Sequence, residues 1–207
     1  MEDLSDLDAA YALRSPEDNR RYYAGWATRY DADFADRLAY RLPALVAGAF
    51  VAAGGTGPVL DVGAGTGLLG IALAAEGVSP VDGIDISPDM LGLARAKGCY
   101  RHLVEADLTA TLPPLPAPYA GLTSSGAFTH GHLGPEVLPP LLDLCAPGAT
   151  IAFSVNSGVW TARGFDAALQ VLAPRLTALT VAIEPIYDAA DDAHAADTAR
   201  IVRFRLR

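Results

Sequence analysis

The chain has 207 residues, 51% of them hydrophobic, and a formal net charge of −9. That length suits one domain with a full core, and an acidic balance without any run of Lys or Arg argues against sequence-independent attachment to nucleic acid or to an anionic membrane. Small or basic partners fit better, so the expected partner is a small-molecule substrate, with a protein side chain as the other acceptable class; the sequence is silent on oligomeric state. Cys99 and Cys145 stand apart in apolar segments and form no C-x-x-C pair, as buried thiols of a reducing compartment do. Met1-Glu2-Asp3-Leu4 is acidic where a leader would be basic and then apolar, and no apolar run approaches the roughly 20 residues of a membrane span. A cytoplasmic protein is expected.

In chain order, Ser15-Pro16-Glu17-Asp18 carries the cap, the N1 proline and the acidic third residue of a helix start, and further helix is predicted up to Ala53. The first strand is predicted at 58–62 with a helix from Thr66 to Glu76, the second at 80–85 with a helix from Ser87 to Lys97, and the third at 101–106. Pro113 to Pro118 reads as a surface loop, 119–124 as the fourth strand, and a helix is expected after Pro135. Pro147-Gly148 turns into a fifth strand at 151–155, a helix runs from Gly164 to Ala173, and the last strands fall at 176–187 and 198–206. Repeated strand-then-helix units mean a parallel sheet, whereas Ile201-Val202-Arg203-Phe204-Arg205-Leu206-Arg207 alternates apolar and basic, as suits a final strand added antiparallel. The expected organisation is one domain over 1–207, with a helical preface at 1–56 and a β/α body at 57–207.

The chemistry concentrates where the first strand ends. Val59-Leu60-Asp61-Val62-Gly63-Ala64-Gly65-Thr66-Gly67 joins a buried strand to a helix through a glycine turn in which the backbone can approach a ligand closely. A pyrophosphate also favours such turns, but Asp61 would repel it, and a dinucleotide fingerprint needs Gly or Ala where Leu68 stands. The same carboxylate attracts the ammonium and sulfonium of S-adenosylmethionine (SAM). In an open parallel sheet the ligand lies beyond the carboxyl ends of the strands, and Asp61, Asp85 and Asp107 end the first three. Asp85, roughly 20 residues past the turn, is placed to accept from a ribose diol, and Asp107 can accept from an adenine amino group with Leu108 packed on the ring. Strand-end aspartates also cap turns, so each alone has an ordinary structural reading.

With Gly83-Ile84-Asp85-Ile86-Ser87-Pro88-Asp89-Met90-Leu91 and Glu105-Ala106-Asp107-Leu108 following the glycine turn, the chain resembles the class I SAM-dependent methyltransferases along nearly its whole length. Trp26-Ala27-Thr28-Arg29-Tyr30-Asp31 and the segment Ser124 to Pro135 resemble more narrowly the Williams-Beuren syndrome region methyltransferase-like group. Two features depart from the superfamily pattern: Ala120 follows Tyr119 where an acidic residue is common, and Ala149 replaces a usual second glycine. The resemblance implies a Rossmann-like α/β fold, a seven-stranded mostly parallel sheet with an antiparallel last strand and a helical N-terminal lid. It implies SAM contacts from Gly63, Ala64 and Gly65 beneath the methionine portion, Asp61 at its ammonium, Asp85 at the ribose, and Ile86, Met90, Asp107 and Leu108 around the adenine end. The backbone at Ser124 would face the methionine end, with Trp26 and Tyr30 carried over the site by the lid.

Methyl transfer is an in-line displacement that needs positioning and exclusion of water before any dedicated catalytic group. If the acceptor must lose a proton, His130 or His132 in the loop after the fourth strand is placed to take it, and His130 is the candidate base. His130-x-His132 with Glu136 also copies the local ligand spacing of a cupin metal site, but such ligands converge from a β-barrel, so no metal is expected. The function expected is methyl transfer from SAM to an unidentified acceptor; the alternatives are an NAD-dependent oxidoreductase and a noncatalytic SAM-binding or interaction module.

Overall fold

The computed structural model describes Glu17, Asp18, Arg21 and residues 39–188 and 196–207. Glu17, Asp18 and Arg21 are helical, and the preface is next described at α1, Leu42–Ala52; Trp26, Tyr30 and His194 lie outside the described residues. β1, Val59–Val62, is buried along its whole length. Its side chains alternate between two cores: Val59 packs with Phe50 of α1 and with Leu69 and Leu73 of α2, Leu68–Ala75, while Leu60 and Val62 join a second cluster on the opposite face. Asp61 therefore shares the α1–α2 side with Val59, an apolar place for a carboxylate.

β2, Val81–Asp85, leads into α3, Pro88–Lys97, where each local signal in the sequence is realised. The Ser87 hydroxyl accepts from Met90 N at 3.3 Å, Pro88 opens the helix, Asp89 and the Arg95/Lys97 pair suit the two ends of its dipole, and Gly98 closes it in the left-handed region. β3, His102–Glu105, is a short edge strand. β4, Tyr119–Phe128, is followed by a 3-10 turn at Pro135–Val137, α4 at Leu138–Leu142 and β5 at Cys145–Asn156. α5, Ser157–Trp160, and α6, Phe165–Leu172, precede the final strands, β6 at Leu176–Pro185 and β7 at Thr198–Leu206. Phe165, Leu169 and Leu172 form the buried stripe of α6, leaving Val171 to solvent.

The strands form one sheet in the order β3-β2-β1-β4-β5-β7-β6. Every pairing from β3 across to β5 is parallel, and β7 alone runs against its neighbours, β5 and β6. The architecture is thus the expected one, a Rossmann-like seven-stranded sheet whose last strand is antiparallel. Strand order reverses between β1 and β4, and a ligand crevice belongs at the carboxyl ends there.

Two strands outrun their predicted limits, for one reason. β4 continues to Phe128 instead of ending at 124, with a register shift against β5 between Ser124 and Phe128; β5 begins at Cys145, so Pro147-Gly148 interrupts a strand rather than preceding it. Both interruptions are bulges, in which one strand carries residues its partner does not match. A bulge is decided by the neighbouring strand, so its local sequence reads as a turn or a strand end.

Candidate active site

A cleft of about 340 Å³ opens at the carboxyl ends of β1, β2 and β4, within the usual span of about 300 to 1,000 Å³ for small-molecule sites. The turn after β1 forms its floor. Gly63, Ala64 and Gly65 line it, and a Cβ at Gly65 would meet nothing within 4 Å, so the space above that residue is open to a ligand. Gly65 has a φ of +52°, a conformation that favours glycine.

Asp85 holds the turn from the next strand. Its Oδ2 accepts from Gly65 N at 2.8 Å and its Oδ1 from Ser87 N at 2.9 Å, tying the glycine turn to the start of α3. Burial raises the Asp85 pKa above its ordinary value, and amides of Ser87, Gly65 and Ile86 oppose that rise. Asp107 supports its own turn, its Oδ1 accepting from Thr109 N at 2.8 Å and from Thr109 Oγ1 at 2.6 Å. Asp85 and Asp107 thus do the ordinary structural work of strand-end aspartates while also standing in the cleft wall, with Ile86, Met90 and Leu108 as the apolar surface between them.

Asp61 differs from both. It is fully buried and does not line the cleft; Tyr100 Oη donates to its Oδ2 at 2.7 Å, and Oδ1 has no hydrogen-bond partner among the described residues. Burial pushes its pKa up to about 7; the Tyr100 hydrogen bond lowers it and the nearby Asp85 charge adds to the rise. A buried carboxylate with an orphaned oxygen behind a glycine turn is a site prepared for a cation, or for water linked to one.

The wall opposite comes from the β4 bulge. Ser125, Gly126 and Ala127 line the cleft, whereas Ser124 stays behind it, its hydroxyl donating to Val62 O at 2.7 Å. The bulge turns the chain at Gly126, where φ is +77° and a Cβ would strike Tyr40 Oη. Tyr40 and Pro43, at the entry to α1, complete that side.

The two histidines of the following loop part company. His132 lines the cleft, and burial, aided by the charges of Arg163 and His130, lowers its pKa to about 4, so the ring is neutral at pH 7. His130 does not line the cleft; its ring edge lies against Gly158, where a Cβ would come within 3.1 Å of Cε1. Glu136 accepts from Gly134 N at 3.1 Å and pairs with Arg163 at 3.4 Å, while Arg163 Nη1 donates to His132 O at 3.0 Å. No group of three or more His, Cys, Asp or Glu able to hold a metal occurs among the described residues.

Residue spacing could not reveal Tyr100, Tyr40 or Arg163, which reach the site through tertiary packing. One local signal did exist for Tyr100: glycine inside a helix at 70 and inside a strand at 83 marks a close approach by another group.

A sheet with this strand order, a glycine turn after β1 and carboxylates ending β1 and β2 resembles the construction of the class I SAM-dependent methyltransferases. Residues 59–148 match the family described as "Methyltransferase domain". The chain is 31% identical to human methyltransferase-like protein 27 over 156 residues, which make up 72% of this chain and 62% of that protein. It is 32% identical to the ribosomal protein L11 methyltransferase of Geobacter metallireducens over 111 residues, 53% of this chain and 35% of the other. The chain therefore spans less than two thirds of either curated relative. Among solved structures, magnesium protoporphyrin IX methyltransferase from Synechocystis PCC 6803, crystallised with SAM, superposes with a TM-score of 0.66 at 18% identity, covering 94% of this chain and 98% of that one.

Proposed function

We propose that the protein transfers a methyl group from SAM to a small-molecule acceptor. The observation that carries this reading is the chemistry of the cleft: an open floor above Gly65, carboxylates at Asp85 and Asp107, an apolar surface between them and the orphaned Oδ1 of Asp61 behind the turn. Those acceptors and surfaces fit a nucleoside with a cationic amino-acid tail. Among the described lining residues Arg163 is the single permanent cation, and it is engaged by Glu136, so a pyrophosphate finds little to hold it. The Synechocystis relative acts on a porphyrin and the Geobacter relative on a ribosomal protein, so relatives use acceptors of both classes. The cleft volume of about 340 Å³ favours the smaller acceptor.

When bound, SAM supplies an electrophilic methyl group on a sulfonium. In this reading the residues of the chain do the rest by placement. Gly63, Ala64 and Gly65 carry the methionine portion, and Asp61 meets the ammonium directly or through water. Asp85 uses lone pairs left over from its two amide bonds to accept from the ribose hydroxyls. Ile86, Met90 and Leu108 enclose the adenine with Asp107 at its amino edge. Ser125 to Ala127 face the methionine end in place of Ser124, and residues 1–56, with Trp26 and Tyr30, act as a lid within one domain, Tyr40 and Pro43 being its described edge on the cleft. Where the acceptor must lose a proton, the group that takes it has to stand in the wall; His132 stands there, and its low pKa makes it a hydrogen-bond partner for the acceptor more than a strong base. Among the described residues no helix is long and apolar enough to cross a membrane, and a cytoplasmic location, where SAM is made and thiols stay reduced, belongs to the same proposal.

Titration calorimetry tests the reading. SAM and S-adenosylhomocysteine should bind and NAD should not; tight binding of NAD with no response to SAM would replace this reading with the oxidoreductase one.

A further inference from the structure

Tyr100 stands between the end of α3 and the start of β3, yet its side chain reaches a residue two strands away. β1 and β2 pair with Asp61 opposite Gly83, so the missing side chain at 83 leaves the surface beside Asp61 uncovered. The Tyr100 ring lies in that gap. A Cβ at Gly83 would come to 3.0 Å from its Cε1, one at Gly67 to 3.1 Å from Cε2, and one at Gly70 would collide with Cζ. A turn, a helix and a strand each contribute a glycine to a slot one aromatic ring thick.

The hydroxyl at the end of that slot is held in a single role. Gly70 N donates to Tyr100 Oη at 3.1 Å, which occupies an acceptor position and directs the phenolic proton towards Asp61 Oδ2, 2.7 Å away. Asp61 is thereby gripped by one oxygen while Oδ1 stays buried and unpartnered. We propose that Tyr100 is the positioning residue of the cofactor site: by fixing Oδ2 it sets the rotation of the Asp61 carboxylate and reserves Oδ1 for the ligand's ammonium group, directly or through water. The inference rests on the SAM reading above and adds to it the residue that makes Asp61 competent.

The same bond favours the ionised carboxylate against its burial, and among the described residues Asp85 and Cys99 are the other titratable groups that interact with the Asp61 charge. Removing the hydroxyl therefore raises the Asp61 pKa further, so binding of an ammonium-bearing ligand strengthens with pH over a higher range in the variant than in wild type.

Two ligands separate positioning from mere packing: S-adenosylhomocysteine, which has the amino-acid tail, and 5′-methylthioadenosine, which keeps the nucleoside and thioether without it. Tyr100→Phe retains the ring in its slot and removes only the hydroxyl. In calorimetry from pH 6 to 9 it should weaken S-adenosylhomocysteine roughly tenfold or more near pH 7 and leave methylthioadenosine within about twofold. Equal losses for both ligands would reduce Tyr100 to a packing residue, and no loss for either would remove it from the site. Asp61→Asn provides an independent arm: the double variant should bind S-adenosylhomocysteine no more weakly than Asp61→Asn alone, and additive losses would overturn the coupling. Wild type that binds neither ligand would instead overturn the SAM reading.

Discussion

Two buried aspartates sit in neighbouring strands of this sheet and were built for opposite ends. Asp82, at the amino end of β2, is 1% exposed and fully engaged: Arg101 Nε and Nη2 donate to its two oxygens at 2.9 and 2.7 Å, and Tyr119 Oη donates at 3.0 Å. Burial works to raise its pKa, but the Arg101 bonds, the Tyr119 bond and the Arg101 charge outweigh it and hold the carboxyl below its ordinary value. Asp61, at the carboxyl end of β1, is equally buried, has one phenol and no cation among its described hydrogen-bond partners, and is pushed up to about 7. Satisfaction of a buried charge therefore marks which rim is scaffold and which is site. The protein spends an arginine on the carboxylate that must never change and leaves the other one short of a partner.

The comparison breaks most visibly if each partner is removed in turn. Arg101→Leu should cost about 2 to 3 kcal/mol of stability, the low end for an opened buried pair because Arg101 is itself half exposed, while S-adenosylhomocysteine affinity stays unchanged. Paired thermal unfolding and calorimetry read the two effects; a loss of affinity without a loss of stability would reverse the roles of the rims. Asp85→Ala tests the rim residue that serves both purposes. It should weaken S-adenosylhomocysteine by about 2 to 4 kcal/mol and lower stability by a smaller amount, since the amides of Gly65 and Ser87 lose their acceptor.

Asp61 itself should show the opposite pH signature from an ordinary paired carboxylate. Its folded-state pKa lies above the unfolded value, so the folded state binds the extra proton between about pH 4 and 7, and Asp61 costs stability progressively as pH rises through that window. Asp61→Asn removes the cost. The stability of the variant relative to wild type should rise from pH 4 to 7 and then level off, by at most about 4 kcal/mol, as followed by chemical unfolding at a series of pH values. A flat difference would mean that Asp61 is solvated in solution.

Much of this was readable in the sequence, and the boundary is physical. Ser87-Pro88-Asp89 and Gly98 delimit α3 because capping depends on residues a turn apart, and the strand-end placement of Asp61, Asp85 and Asp107 follows from a hydrophobic pattern and a glycine turn. The course of β4 past Ser124 was hidden because β5 decides where a bulge falls. Asp61 could be located but not characterised, since Tyr100 arrives from 39 residues further on. For the histidines, spacing put both in the loop after β4 and could not say which faced inward; the structure puts His132 in the wall and His130 against Gly158, so the candidate base of the sequence is the one the cleft leaves out.

That difference supplies the smallest expected effect. With an acceptor identified, His130→Ala should change single-turnover methyl transfer by less than about threefold, whereas His132→Ala should slow it roughly tenfold or more. Because His132 is neutral down to about pH 4, neither wild type nor variant should show an inflection near 6.5 from that ring. A tenfold loss in His130→Ala would restore His130 as the base.

The glycine slot around Tyr100 also constrains how this chain can vary. Gly67, Gly70 and Gly83 lie in a turn, a helix and a strand, far enough apart in sequence to mutate independently, yet a single methyl at 70 or 83 presses on the same ring. The four positions are sterically coupled: a side chain added at Gly83 would press on Leu103 at 2.7 Å and on the Tyr100 ring at 3.0 Å, crowding the hydroxyl that steers the Asp61 carboxylate.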